Sequence, residues 1–274
     1  MDDAVVTLRV GVWRDGVARR TARVWRPTLE DVRRATDARG RALSAERLTA
    51  LVGAAVEIAG ESGEAVAREL TVGDRAALAL HLRSALFGDR LDCRLPCTAC
   101  GTELELALEC STLAAPGEPT DSPTVSVAVD GRAVSARLPS GEDEEAAGRA
   151  AAVDPRGVGL VLLRRLLLGG ADDVVAELRD DGLARLQERL EDAIAAADPL
   201  AEIALQFVCP SCGDAASALF EPGPFVLAEI DASVVALERD VDTLARAYGW
   251  SEREIVALPP ARRARYVELA GAWQ

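Results

Sequence analysis

Lysine is absent from this 274-residue chain: all 31 basic positions are arginine, which we read as coding bias and not as chemistry. Histidine occurs once. Nucleophilic triads and most general acid–base sites call on imidazole. His81 lies among Leu78, Leu80 and Leu82, where a helix-face or core position is expected, so the chain does not read as an enzyme. Glycine-rich phosphate loops of the Walker or dinucleotide type are missing, since Leu167-Leu168-Gly169-Gly170 lacks the lysine and the spacing. No uncharged apolar run approaches the roughly 18 residues of a membrane span, and the most apolar stretch, 158–168, is broken by Arg164 and Arg165. Aromatic residues make up only 4%, which leaves the core to Leu, Val and Ala.

Positive charge is scarce as well. A formal net charge of −14 argues against a nucleic-acid coat or an anionic-membrane binder. The chain opens Met1-Asp2-Asp3 with no basic and apolar export signal, so a cytoplasmic location is expected. There, six cysteines are metal ligands or plain thiols and not disulfides. A hydrophobic content of 49% suits a globular protein of two modest domains or one decorated domain.

Extended segments 5–12 and 17–25 flank Asp15-Gly16, which predicts a β-hairpin. Thr28 with Asp31, then Ser44, then Thr71 with Asp74 mark helix starts, and the predicted helices include one from Ser44 through Ala59 and one over 72–87, closed by Gly88. Extended Leu91 to Leu95 and the strict alternation of 103–109 place strands on either side of Cys97-Thr98-Ala99-Cys100-Gly101. Pro116, Pro119 and Pro123 make 111–123 a linker, followed by a hairpin at Asp130-Gly131 and helices as far as Pro199. The acidic groups Glu142-Asp143-Glu144-Glu145 and Asp180-Asp181 are expected at solvated helix starts. Extended residues around Cys209-Pro210-Ser211-Cys212-Gly213 repeat the strand, knuckle, strand arrangement.

Each Cys-x-x-Cys turn supplies two thiolates on one bend, and two such turns complete a tetrahedral zinc site. The expected ligands are Cys97, Cys100, Cys209 and Cys212, holding one structural zinc per chain, with Cys93 and Cys110 as buried thiols. The 108 residues between Cys100 and Cys209 must then loop out of the ribbon. The expected class is α+β. Its parts are an N-terminal β-hairpin and helical region (1–89), a discontinuous four-cysteine zinc ribbon (90–110 and 201–222), an α+β insertion (111–200) that can be shortened without losing the ribbon, and C-terminal helices (223–274).

In the C-terminal helices Leu227, Ile230, Val234, Leu237, Val241, Leu244 and Tyr248 follow alternating gaps of three and four, a heptad seam that packs on this chain's own core or docks a partner helix. Ser251 with Glu254 makes a capping box, and Trp250 with Ile255 a hydrophobic staple. Leu237, Leu244, Tyr248, Trp250, Tyr266 and Trp273 are the candidate partner-binding residues, because aromatics concentrate here in an aromatic-poor chain. The other reading makes them the core of a helical subdomain. A nucleic-acid-binding or regulatory zinc ribbon is the rival function, yet segments 90–110 and 203–221 carry two arginines against six acids, a surface that repels phosphate.

Several stretches resemble one family: Glu69-Leu70-Thr71-Val72-Gly73-Asp74-Arg75, Leu86-Phe87-Gly88-Asp89-Arg90, the two knuckles, and Leu244-Ala245-Arg246-Ala247-Tyr248-Gly249-Trp250-Ser251-Glu252 on through Ile255, Leu258, Arg262, Arg263 and Tyr266. They look like the zinc-ribbon proteins of contractile phage tails and phage-tail-like injection systems, related to T-even phage baseplate-hub assembly proteins. The likeness covers roughly 69–110 and 200–273. It implies a non-enzymatic assembly chaperone or minor structural subunit whose partners are baseplate or hub proteins; charge and hydropathy, separately, predict neither nucleic acid nor membrane as a partner.

Overall fold

The structure is a computed structural model that describes residues 3–36, 43–170, 174, 175, 178 and 180–271. The chain divides into two compact units, Met1–Val226 and Leu227–Gln274. The first opens with strands β1 (Ala4–Arg14) and β2 (Val17–Val24), joined through Asp15 (φ 52°) and Gly16 (φ 76°) as the hairpin signal requires. Gly11 bulges out of β1 at φ 73°, where the Arg19 carbonyl oxygen would lie 2.3 Å from any Cβ. Helix α1 (Leu29–Thr36) starts at Thr28, whose hydroxyl accepts the Asp31 N–H.

Helix α2 (Ser44–Ala55) stops four residues before the expected Ala59. Val56 and Ile58 turn inward as strand β3 (Val56–Ile58), which pairs with β2, and Ala59 and Gly60 take positive φ to return into β4 (Glu61–Ser62). A β-branched pair buried in a sheet outweighs the helical pattern that precedes it. The result is an antiparallel sheet in the order β1-β2-β3-β4. Helix α3 (Glu64–Glu69) leads to α4 (Val72–Phe87), whose start is capped by Thr71. One apolar face is expected for α4, but Leu78, Leu80, Leu82, Arg75 and Asp74 are all buried, so α4 is enclosed on nearly every side. His81 is half-buried there, its imidazole pushed down by burial against the opposing charge of Asp89.

Hairpin β5 (Arg90–Pro96) with β6 (Glu103–Glu109) is followed by the short helix α5 (Cys110–Leu113). Next comes the hairpin β7 (Thr124–Val129) and β8 (Arg132–Arg137), turned by Asp130 and Gly131. Helices α6 (Gly141–Val153), α7 (Val158–Leu166) and α8 (Asp180–Ala197) follow, and Leu163, Leu166, Leu186 and Leu190 close a core over Val129, Val134 and Ala136. Hairpin β9 (Ile203–Val208) with β10 (Ala215–Phe220) ends the unit.

The acids at the start of α6 are expected on a solvated helix end, and that expectation needs correction; the insertion that carries them is also bonded to the rest of the unit. Asp143 and Glu145 are buried. Glu145 accepts from Thr49 and Arg68, while Glu144 pairs with Arg75 at 2.6 Å. Arg75 is fully buried, and its guanidinium also donates to Thr49 and to the carbonyls of Ala67 and Ala45. At the far end of the insertion, buried Asp198 accepts the Gly73 N–H at 2.9 Å. Residues 1–226 therefore share one framework, because an acidic run at a helix start is placed by the arginine it meets and not by the dipole alone. Asp181, by contrast, is exposed and pairs with Arg185.

Helix α9 (Pro222–Tyr248) carries the chain into the second unit, which continues with α10 (Glu252–Val256) and α11 (Pro260–Gly271). Gly249 at φ 69° ends α9, and the Ser251–Glu254 capping box restarts the helix as expected. Among the described residues, no helix is long and apolar enough to cross a membrane.

Candidate metal centre

Cys97 and Cys100 occupy the tip of the β5–β6 hairpin, and Cys209 and Cys212 the tip of β9–β10. The two tips are built alike. The Cys97 N–H donates to the Thr102 carbonyl and the Gly101 N–H to the Cys97 carbonyl; the Cys209 N–H donates to the Asp214 carbonyl and the Gly213 N–H to the Cys209 carbonyl. Gly101 (φ 72°) and Gly213 (φ 78°) both adopt the left-handed conformation that glycine takes without strain.

Below the tips, Leu91 and Cys93 of one hairpin and Leu205 and Phe220 of the other pack with Ala77 and Leu80 of α4 in a single core. Leu104 and half-buried Phe207 pack against Cys97 and Cys209, so the aliphatic and aromatic floor lies directly under the sulfurs. Cys93 and Cys110 belong to the lower core and stand apart from the sulfur cluster, with burial pushing the Cys93 thiol up.

The four sulfurs of Cys97, Cys100, Cys209 and Cys212 all lie within 4.8 Å of one another. Cys97 Sγ is 3.8 Å from Cys212 Sγ, and Cys100 Sγ is 3.7 Å from Cys209 Sγ. A disulfide would need about 2.05 Å, whereas a tetrahedron with metal–sulfur bonds of about 2.3 Å has edges of about 3.8 Å. The donor set therefore fits a tetrahedral metal ion. Four thiolates fill such a coordination sphere and leave no position for a reacting water.

Protonation chemistry points the same way. The Thr102 hydroxyl, 3.3 Å from Cys100 Sγ, and the Thr102 N–H draw the Cys100 thiol down to about 6. Backbone N–H groups, led by that of Cys212, also lower Cys209. Against the pull of the Asp214 N–H, desolvation and the three neighbouring sulfurs push Cys212 up to about 12. Four thiols this close cannot all ionise beside one another, so full deprotonation calls for a cation at their centre. Thr102 and Asp214 are contributors that spacing did not reveal; each is simply the residue after its knuckle glycine.

The candidate partner-binding residues fall in the second unit. Leu244 is fully buried, which removes it from any accessible surface, and Leu237 is half-buried. Tyr248, Trp250 and Tyr266 meet one another: Tyr248 stacks on Trp250 at 4.7 Å between ring centroids, and Tyr266 meets Trp250 edge-on at 5.0 Å. Arg262 lies over the Tyr266 ring, and Arg263 donates to Asp240 at 2.9 Å. Trp273 lies outside the described residues. No protein-family model matches the chain, and no curated protein or solved structure matches it either.

Proposed function

We propose that the chain is a non-enzymatic assembly factor or minor structural subunit of the baseplate or hub of a contractile phage tail or phage-tail-like injection system, built around a four-cysteine zinc ribbon with one structural zinc. The observation that carries the zinc is the spacing of the four sulfurs, which suits a closed tetrahedral thiolate site. Cys97, Cys100, Cys209 and Cys212 would hold the ion, and bound zinc supplies fold stability there.

Support for the assembly role comes from the residues that carry the family resemblance, several of which have defined structural duties. Thr71 caps α4, Gly73 gives Asp198 room, and Gly249 with Ser251 redirects the chain around the Tyr248, Trp250, Tyr266 cluster. A protein that binds other proteins needs such a rigid scaffold and no reacting group.

Two measurements test the reading separately. Metal analysis of purified protein is expected to return one zinc per chain; iron in its place, or no metal, overturns the zinc. Affinity purification from the native host is expected to recover tail hub or baseplate proteins, and changing half-buried Leu237 to Glu, with zinc content and melting unchanged, is expected to abolish their recovery. Recovery of nucleic acid in a salt-sensitive manner, with no tail protein, would put the rival function first.

A further inference from the structure

Away from the sulfur cluster, the starts of α2, α4 and α6 meet residues 200–203 and 219–224 around a cavity of about 510 Å³. Small-molecule sites measure about 300–1,000 Å³ and are mostly apolar, with a few polar groups that converge. This cavity has that make-up. Leu48, Val72, Leu200, Ile203 and Phe220 supply apolar walls, and the polar side chains are those of Ser44, Glu144, Glu202 and Glu221. No arginine stands among the lining residues.

Charge in the cavity is therefore one-sided. Arg75 pairs with Glu144 at 2.6 Å but is buried behind it, so it balances one carboxylate of the three. Among the described residues, the carboxylates of Glu202 and Glu221 have no hydrogen-bond or ion-pair partner. Burial, with the like charges of Glu145 and Glu221, holds the Glu144 carboxyl above its usual range in spite of Arg75.

We propose that this cavity binds a small organic cation, an ammonium group carried on an apolar body. The walls take the body, and Glu202 and Glu221 take the ammonium. An anion is repelled by the two unbalanced carboxylates. A neutral molecule of the same shape strips water from them and returns no ionic contact. A bare metal ion is a poorer fit, because among the described residues only the four cysteines gather closely enough to share one.

2-Phenylethylamine, protonated at neutral pH, is a suitable probe, with 2-phenylethanol and 3-phenylpropanoate as its neutral and anionic counterparts. In an NMR titration of the full chain, the amine is expected to shift the amides of residues 200–203 and 219–221. Its dissociation constant is expected on the order of 1 mM, within reach of a molecule of about nine non-hydrogen atoms. The alcohol is expected to bind at least about threefold more weakly, and the acid more weakly still. Glu202→Gln together with Glu221→Gln, both on exposed side chains, is expected to weaken the amine about five- to tenfold. Ala147→Phe, on the cavity wall, is expected to abolish binding by filling the space. Glu188→Gln, an exposed change of charge outside the cavity, is expected to leave it unaltered. Unchanged thermal melts show that the variants remain folded. The proposal is overturned if the amine causes no shifts or shifts only other amides, or if the alcohol binds as tightly. Indifference to the paired Gln changes, or to Ala147→Phe in a folded chain, overturns it as well. None of these outcomes bears on the tail-assembly reading.

Discussion

Cys97 meets Cys212, and Gly73 meets Asp198, across comparable lengths of chain, 115 and 125 residues. The first meeting is a cluster of soft, similar ligands at two exposed hairpin tips. The second is a buried polar joint at the start of α4, where Asp74 accepts the N–H groups of Arg9, Val10 and Gly11, Asp198 accepts from Gly73, and Arg75 grips Glu144. A metal joint can be added or withdrawn by changing one ion, whereas a buried hydrogen-bonded joint stands or falls with each partner it contains. The first unit contains the polar joint and a cysteine cluster fit for the metal one, so distant segments would be held by α4 with or without an ion.

The largest expected effect tests that division. Changing Cys209 and Cys212 together to Ser is expected to abolish metal binding and to lower stability by more than about 5 kcal/mol, below the roughly 10 kcal/mol or more seen when metal alone holds a small domain. The core of Leu91, Leu205 and Phe220 on α4 is expected to keep a cooperative melt. Global unfolding on chelation, read by circular dichroism, would show that the polar joint does not suffice.

Arg75→Met attacks the other joint. It removes the guanidinium that donates to the Glu144 carboxylate and to the carbonyls of Ala67 and Ala45, and denaturant unfolding is expected to show a loss of about 3–5 kcal/mol with metal content unchanged. A loss under about 1 kcal/mol would mean that the network is replaceable by apolar packing.

A third test uses pH. Burial, with the like charge of Asp198 nearby, raises Asp74 to about 6, and Asp198 and Glu144 are raised too by burial. A carboxyl with a raised folded pKa contributes stability below its unfolded value near 4, and that stability is lost as pH rises through about 6. For Asp74 the loss between pH 4 and pH 7 is of order 2 kcal/mol. Asp143, held down to about 2 against its burial by Arg137, the Ser140 N–H and Arg165, acts in the opposite sense but only below pH 4. Asp198→Asn removes the like charge, so urea midpoints at pH 4.5 and pH 7 are expected to draw together; an unchanged gap would remove Asp198 from the pair.

The smallest effect belongs to the second unit. Arg263→Gln breaks a single ion pair with Asp240 and is expected to cost about 0.5–1 kcal/mol, with the first unit's melt unmoved.

Much of the centre was legible because each knuckle is a complete local signal: two cysteines, a glycine and flanking strands within a few residues. The hairpins at Asp15-Gly16 and Asp130-Gly131 and the Ser251 capping box were legible for the same reason. The polar joint was not. Gly73 carries no signal of its own until Asp198 is seen, whose Oδ1 would lie 1.9 Å from a Cβ there. Asp143 and Glu145 read as surface charge until Arg137, Arg165, Thr49 and Arg68 are placed beside them. Strands β3 and β4 are three and two residues long, too short to show a period of their own. Partners fixed only by tertiary folding leave no spacing to read.

The placement of the knuckles also sets an order of events during synthesis. Cys100 leaves the ribosome 109 residues before Cys209, and Cys97 112 residues before it. At about 5–20 residues per second, that interval is on the order of 5–20 s. Throughout it the first half-site can offer a metal only two sulfurs. The four-sulfur site closes only once the insertion has been made and the second hairpin has emerged, so an ion held by all four cysteines marks a chain completed at least to Cys212.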